Sequence, residues 1–365
     1  MVKIVRILLT GGGTGGHIYP ALSMIKAIKK AHPEAVFLYI GTPDGLEAKI
    51  VPSFEIEFKP IKASGIKRSL SVKNLKTLYD FIKSIAVAKK YLQAFNPDIV
   101  IGTGGYVCAP VVYAAAKLKI KTVIHEQNSL PGITNKFLAA YADKVLICFE
   151  ETRKYFAANK VVLTGNPRAS EVVATLKVGK CALGLNQHKK TVLISGGSRG
   201  ARPINDAFLA KLHAYEAANF EVVFVTGEVH YESICEQIGK VDQLKNIKVV
   251  PFIADMPKFL VSIDLFVGRA GATFLAEITA LGVASILIPS PYVAENHQEF
   301  NARSITDHGG ATLILEAALT GEALHDEIVR LLNDDVALSA MRSATKKLGI
   351  VDASTRILEV LNDLI

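Results

Sequence analysis

The chain has 365 residues, half of them hydrophobic and 21% charged, with a net charge of +8. That length suits two domains of ordinary size, each with its own core, and the composition is that of a soluble globular protein. No apolar run is long enough to span a bilayer, and the four cysteines are widely spaced with no Cys-x-x-Cys pair, which excludes zinc and dithiol motifs and suits reduced thiols in a cytosolic protein.

The first ten residues lack the length and cleavage site of a signal peptide, and Ile4 to Thr10 reads as a buried parallel strand. Gly11-Gly12-Gly13-Thr14-Gly15-Gly16-His17 follows, then Ile18, Ala21, Leu22, Ile25 and Ile28 at helical spacing. Strand, glycine turn and helix in that order leave backbone N–H groups free to meet an anion or a sugar. The loop is not a Walker loop, and it departs from Gly-x-Gly-x-x-Gly. His17 falls at the helix start, either as a general base or as a cap on its own loop.

Val36 to Ile40 reads as a second strand, followed by a Gly-Thr-Pro-Asp-Gly turn. From residue 60 to 95, Ile66, Leu70, Leu75, Leu78, Phe81 and Ile82 alternate with Lys62, Lys67, Arg68, Lys73, Lys76 and Lys83. Such a mixture suits docking at an anionic membrane, and equally a helix with an apolar inner stripe and a basic outer face. Membrane contact is the expectation for Lys62 to Phe81.

Asp98 to Ile101 reads as a strand running into Gly102-Thr103-Gly104-Gly105-Tyr106 and a helix from about Pro110. Parallel strands put their C-terminal ends together, so this turn belongs on the same sheet edge as the first. Lys121 to Ile124 delivers His125-Glu126-Gln127-Asn128 to that edge, with Glu126 a candidate acid or base and Asn128 a hydroxyl-recognising amide. Lys144 to Ile147 and Val161 to Leu163 close the first half.

Thr164-Gly165-Asn166-Pro167-Arg168 reads as the linker, with Arg168 either reaching a phosphate in an interdomain cleft or lying plainly on the surface. Charge changes sign here. Before residue 166 there are 23 Lys and Arg against 11 Asp and Glu, near +12; from there on, 19 stand against 23, near −4. A basic half suits nucleic acid, anionic lipid or a phosphorylated substrate, or is simply a solvated face.

The second half repeats the plan. Thr191 to Ser195 enters Gly196-Gly197-Ser198-Arg199-Gly200-Ala201 and a helix through Phe208; Glu221 to Val225 and Ile247 to Val250 are further strands. Ile263 to Val267 enters Gly268-Arg269-Ala270-Gly271 and a helix carrying Glu277. Backbone donors suit a phosphate, whereas a carboxylate one turn on suits a vicinal diol such as ribose; the bland alternative is an ordinary strand–helix turn. Ser285 to Pro289 is followed by a polar cluster, Glu295 to Glu299, in which Gln298 suits sugar hydroxyls. No Asp-x-Asp pair occurs for a divalent ion.

Seven motifs stand in one order: GGGTGGH from Gly11, GTGGYVCAP from Gly102, HEQN from His125, GNPR from Gly165, GGSRGA from Gly196, GRAGATFLAE from Gly268 and NHQ from Asn296. Together they resemble the MurG family, the UDP-N-acetylglucosamine:undecaprenyl-diphospho-N-acetylmuramoyl-pentapeptide N-acetylglucosaminyltransferases, nearly end to end. The family has Ser where this chain has Ala270, but Gly271 and Ala272 keep the turn. The resemblance implies an α/β GT-B glycosyltransferase: two Rossmann-like domains with parallel sheets facing a central cleft. The expected domains are 1–164 for the acceptor and membrane, 165–350 for the UDP-sugar, and a helix at 351–365 packing back across the hinge.

It further implies that GlcNAc passes from UDP-GlcNAc, with inversion, to the MurNAc 4-hydroxyl of undecaprenyl-diphospho-MurNAc-pentapeptide (lipid I), on the cytoplasmic face of the inner membrane. No metal, cofactor or nucleic acid is implied. Thr14, Gly15, Gly16 and Asn128 are expected at substrate sugar and phosphate, and Arg168 and Ser198 at the diphosphate. Ile253 is expected at the uracil edge, Ala272, Thr273, Phe274, Leu275 and Ala276 around the α-phosphate and ribose, Glu277 on the ribose hydroxyls and Gln298 on GlcNAc. His17 is the first candidate base and Glu126 the second. The rival expectations are another GT-B glycolipid synthase and a non-catalytic sugar-nucleotide-binding protein.

Overall fold

A computed structural model describes residues 5–63, 72–175, 179–197 and 199–365. Ile66, Lys67, Arg68, Leu70 and Ser198 lie outside the described residues, as do the side chains of Lys73 and Leu75. The chain divides into two compact units, one ending at Ser170 and joined by Asp352–Ile365, the other Glu171–Val351. The division falls inside the helix Pro167–Val173, so Arg168 belongs with the first unit.

The first unit is built on strands β1 (Arg6–Thr10), β2 (Val36–Gly41), β3 (Glu57–Pro60), β4 (Ile99–Gly102), β5 (Lys121–Glu126), β6 (Lys144–Ile147) and β7 (Val161–Leu163). They form one parallel sheet in the order β3-β2-β1-β4-β5-β6-β7. Successive side chains point to opposite faces, so each apolar strand feeds two cores. Leu8, Leu38, Val100, Ile124 and Val145 meet one helical layer, made by Val72–Phe95, Cys108–Lys117 and Ile133–Leu138. Ile7, Leu9, Tyr39, Ile101 and Leu146 meet the other. There the helix Gly15–Ala31 supplies Ile18, Leu22, Ile25 and Ile28, spaced to share one face, and the last helix, Ala353–Asn362, adds Ile357 and Leu361.

The second unit carries β8 (Thr191–Ser195), β9 (Glu221–Val225), β10 (Ile247–Val250), β11 (Leu265–Gly268), β12 (Ala284–Leu287) and β13 (Ala311–Leu313), again all parallel, in the order β10-β9-β8-β11-β12-β13. Both sheets therefore run outward in two directions from a central pair, β1/β4 and β8/β11. Helices leave on opposite faces there, opening a crevice at the C-terminal strand ends where α/β folds bind ligands. β3 and β13 are absent from the sequence reading. Each is a short strand at the margin of its sheet with half-exposed residues, and so shows no buried apolar run.

The second core centres on aromatic stacking. Phe208 is fully buried, 4.1 Å from the Phe224 ring and 4.8 Å from Tyr215. Phe208→Ala should destabilise the second unit by about 3–5 kcal/mol, since neighbouring rings and backbone cannot collapse into so large a void. Urea unfolding measures this; a loss under about 1 kcal/mol would show that the ring is not a core element.

Candidate active site

The first unit's crevice is made by the turns after β1 and β4. Gly12 N–H donates to the Gly104 carbonyl at 3.2 Å, joining the two loops. The Tyr39 hydroxyl supports the first turn from below, donating to the Gly11 carbonyl at 2.9 Å, and the Thr103 hydroxyl donates to the His17 carbonyl at 2.8 Å. Thr14 is the N-cap of helix Gly15–Ala31, yet its side chain makes no cap hydrogen bond. By contrast, Thr320 and Asp334 cap the helices Gly321–Asn333 and Asp335–Lys347 through Ala323 N–H and Ala337 N–H. An uncapped helix start at a sheet's C-terminal edge leaves donors for a ligand.

His17 is half-buried at this helix start. Its Nδ1 lies 2.8 Å from the Gly12 carbonyl oxygen and 3.3 Å from the Thr14 hydroxyl. A carbonyl only accepts, so Nδ1 carries the proton and Nε2 keeps its lone pair. Burial lowers the pKa of the ring, against smaller opposing effects from the Gly12 carbonyl and the charge of Glu47. The imidazole is thus neutral and basic at Nε2. Gly104, at φ +111°, is required beside it, because a Cβ there would meet His17 Nε2 at 2.8 Å.

Glu126 ends β5 and is only 2% exposed. Its Oε1 accepts from Asn128 N–H (3.0 Å) and Asn128 Nδ2 (3.2 Å), and its Oε2 from Gly132 N–H (3.1 Å) and Asn135 Nδ2 (2.9 Å). Burial raises its pKa above the usual carboxylate range, and these donors only partly offset that. With two donors on each oxygen, the carboxylate shapes the loop and orients Asn128. The sequence shows a carboxylate at this edge but not the Asn135 that saturates it.

The neighbouring His125 is fully buried. Its Nε2 lies 3.1 Å from the Gly165 carbonyl, and its Nδ1 2.9 Å from the Gln127 amide nitrogen, which also donates to the Thr103 carbonyl at 2.7 Å. These bonds tie β5 to the start of the Gly165–Arg168 segment and to the β4 turn. Arg168 is positioned by its backbone N–H, which donates to Asn166 Oδ1 at 3.1 Å.

In the second unit the turns after β8 and β9 touch: Gly200 and Gly227 both have positive φ, +74° and +84°, and a Cβ on either would overlap the other turn. After β11, the helix Ala272–Leu281 starts at an N-cap glycine, Gly271, with no side-chain cap. Ala272 and Leu275 are buried, while Thr273, Phe274 and Ala276 are half-buried, and the Phe274 ring lies 4.6 Å from Phe266. Glu277, 4% exposed, sits on the second turn. Ile253 is buried three residues beyond the end of β10. Gln298 Oε1 accepts from Ser290 N–H at 2.9 Å, which fixes the amide and leaves its NH2 as donor. Arg269 is committed elsewhere, to the Ile288 carbonyl (3.1 Å) and Glu316 (2.5 Å). Among the described residues no three His, Cys, Asp or Glu side chains gather as a metal-ligating group.

Phe81 joins an aromatic cluster from three helices. Phe137 lies 6.5 Å from it, Tyr113 6.0 Å from Phe137, and Tyr141 4.9 Å from Tyr113. Lys117 Nζ lies over the Tyr113 and Tyr141 rings at 5.3 and 5.4 Å. Tyr79, Ile82 and Ile133 are exposed on the same three helices' unit. No described helix is long and apolar enough to cross a membrane.

Two parallel-sheet Rossmann-like units with glycine turns at their strand ends have the GT-B architecture. The glycosyltransferase family 28 N-terminal domain profile matches residues 7–147, and the C-terminal domain profile matches 191–357. The chain is 55% identical over 362 residues to the UDP-N-acetylglucosamine–N-acetylmuramyl-(pentapeptide) pyrophosphoryl-undecaprenol N-acetylglucosamine transferase 1 of Bacillus cereus, covering 99% of this chain and 100% of that one. It is also 55% identical over 361 residues to the corresponding transferase of Bacillus cytotoxicus, covering 99% of each. The crystal structure of Acinetobacter baumannii MurG superposes with a TM-score of 0.81 at 26% identity, covering 98% of this chain and 99% of that one. The chain belongs to the MurG family.

Burial lowers the pKa of His125 from near 6.5 to about 4, so between those values the unfolded chain binds a proton that the folded one excludes. Its contribution is complete above about pH 7 and is lost as pH falls from 6.5 to 4, by up to about 3 kcal/mol. The urea midpoint should therefore drop more between pH 7 and pH 5 for the native chain than for His125→Gln. Equal drops would show that His125 titrates normally.

Proposed function

We propose that this chain transfers GlcNAc from UDP-GlcNAc to the MurNAc 4-hydroxyl of lipid I, giving lipid II for peptidoglycan synthesis. What carries the reading is the full-length likeness to transferases named for that donor sugar and that acceptor. The α-linked donor gives a β-linked product, so the anomeric carbon inverts. His17 Nε2 takes the proton of the attacking hydroxyl as the oxygen closes on the anomeric carbon and UDP departs on the opposite face. The Nδ1–Gly12 bond supports this role, since it leaves the lone pair on the outer nitrogen. Glu126 is the second candidate, because four donors already occupy its two oxygens.

The donor is assigned to the second unit. Ile253 reads the uracil edge through its backbone, Ala272 to Ala276 surround the α-phosphate and ribose, Glu277 accepts from the ribose hydroxyls, and Gln298 donates to GlcNAc hydroxyls. Ser198 and Arg168 meet the diphosphate. Thr14, Gly15, Gly16 and Asn128 contact substrate sugar and phosphate from the first unit. The uncapped N-terminus of helix Ala272–Leu281 and Arg168 offset the charge of departing UDP, without a divalent ion. The acceptor is membrane-borne, and the surface from Lys62 to Phe81, including Ile66, Lys67, Arg68, Leu70, Lys73 and Leu75, docks on anionic lipid at the cytoplasmic face of the cell membrane. The aromatic and lysine cluster around Phe81 supports that placement.

UDP release with UDP-GlcNAc and lipid I is the direct test, in EDTA. Release with a diacylglycerol acceptor instead would make the chain another glycolipid synthase, and release with neither a sugar-nucleotide-binding protein. A loss in EDTA that magnesium restores would sink the metal-free part. His17→Ala should lower kcat by about 10²–10⁴-fold while leaving UDP affinity nearly unchanged; near-normal turnover would remove His17 as base. Replacing Lys62, Lys67, Arg68 and Lys73 with Gln should weaken binding to phosphatidylserine vesicles by about 1 kcal/mol per charge, and unaltered sedimentation with vesicles would remove the membrane face.

A further inference from the structure

Glu47 was not singled out from the sequence, yet its side chain is shielded from solvent on the short helix Leu46–Ile50. None of the ion pairs among the described residues involves it. Instead it accepts from Gly13 N–H (3.1 Å), Thr42 N–H (2.9 Å) and the Thr42 hydroxyl (2.6 Å). A Cβ at Gly12, Gly41 or Gly45 would overlap its side chain, so three glycines from two different turns are cut to its shape. Burial alone would raise its pKa, but the Thr42 and Gly13 donors outweigh burial and hold it below the usual carboxylate range. The group is therefore an anion at neutral pH, held by hydrogen-bond donors, with no ion pair among the described residues.

Scaffolding alone does not call for a charge here: a neutral group of the same shape would fill the space without the donors that a buried carboxylate needs. The charge faces the turn that carries His17, and the field of Glu47 favours the protonated imidazole. Among the described residues, Tyr39 and Cys108 also bond to this turn and its neighbours, and the Tyr19 ring lies against Gly15. Burial pushes the Cys108 thiol up to about 12 and the Tyr39 phenol well above its usual value, so both stay neutral. Glu47 is thus the ionised group that the His17 ring senses.

We infer that Glu47 is a positioning residue for the transfer: its carboxylate holds the first glycine turn in shape and supplies the negative charge that faces His17. It touches no reacting atom. Through Gly13 it fixes the turn that leads into Thr14, Gly15 and Gly16. Its charge supports the imidazolium that forms when His17 takes the acceptor proton.

The inference rests on the proposed glycosyl transfer, and the wild-type assay separates the two. No UDP release by the unaltered protein ends the transfer reading itself. Given wild-type release, Glu47→Gln should lower turnover about tenfold or more, because the turn shifts around its lost acceptor. UDP affinity should stay within about twofold, and the acid limb of the kcat/KM profile for lipid I should move down by about half a pH unit, as removing the anion makes His17 a weaker base. Turnover and limb both at wild-type values would overturn the inference. So would lost turnover with an unmoved limb, which would make Glu47 structural only. Should Glu47→Gln not fold, Glu47→Asp decides. The shorter side chain keeps the charge but cannot reach Gly13 and Thr42 together, so turnover falls while the limb stays, and wild-type turnover in that variant overturns the role.

Discussion

The structure depends on one constraint: a parallel strand must become a helix within a few residues, and the first peptide N–H groups of that helix have no partner within the helix itself. In both sheets the handovers nearest the centre are made of glycine, after β1 and β4 in one and after β8 and β11 in the other. Side chains at these positions would strike another backbone, as at Gly200 and Gly227, or another functional side chain, as at Gly104 and His17. Two turns can approach closely only because neither carries a Cβ. What remains at these turns is backbone, part of it held by the fold itself, as Gly12 N–H is by the Gly104 carbonyl and Gly13 N–H by Glu47. At the helices Gly321–Asn333 and Asp335–Lys347 a Thr or Asp side chain occupies one of those donors instead.

Beneath the first unit's turns, polar side chains are packed where apolar ones would be easier to place. Their bonds run from Gly165 through His125 and Gln127 to Thr103, and from Thr103 to the backbone of His17. Each is buried, so leaving any one unpaired costs about 1–3 kcal/mol, more than the bond itself contributes when made. The network therefore adds little to stability and much to definition: each bond ties one loop to the next. Glu126 and Glu47 extend the same principle to carboxylates. Each has its oxygens filled by donors, and each fixes a loop: one carries Asn128, the other leads to Thr14.

Most of the fold is legible in the sequence because buried parallel strands announce themselves. Lys144 to Ile147, Thr191 to Ser195 and Glu221 to Val225 are apolar runs whose limits coincide with β6, β8 and β9. β3 and β13 escape because a marginal strand needs no apolar run, only a neighbour to pair with. The glycine turns are legible for a chemical reason, since nothing else explains so many glycines directly after a strand. What is illegible is partnership at a distance. Glu47 reads as an ordinary helix residue until Gly13, far back in the chain, donates to it. Glu126 reads as a free acid until Asn135 is seen beside it. Phe81 reads as one apolar residue among lysines until Phe137 and Tyr113 arrive from other helices. The signal for Glu47 was present in a weaker form, as a carboxylate in the first turn of a helix directly after a strand end, the same pattern that singled out His17.

The distribution of charge sharpens the division between the units. The proposed diphosphate site lies in the half of the chain with net charge near −4, and not in the half near +12. Net charge is the wrong measure for a contact of this kind. At physiological ionic strength, surface charges fade over roughly 8 Å, whereas an uncapped helix start presents its donors at hydrogen-bonding distance. Arg269, the arginine nearest that helix start in sequence, is held by Glu316 and the Ile288 carbonyl. A diphosphate bound as proposed would rely on main-chain geometry beside Arg168 and Ser198, and such geometry discriminates by shape as well as by sign. The lysines of the first half are left to act where many weak, long contacts add up, on a surface. A broad anionic partner such as a membrane rewards that arrangement; a single small anion does not.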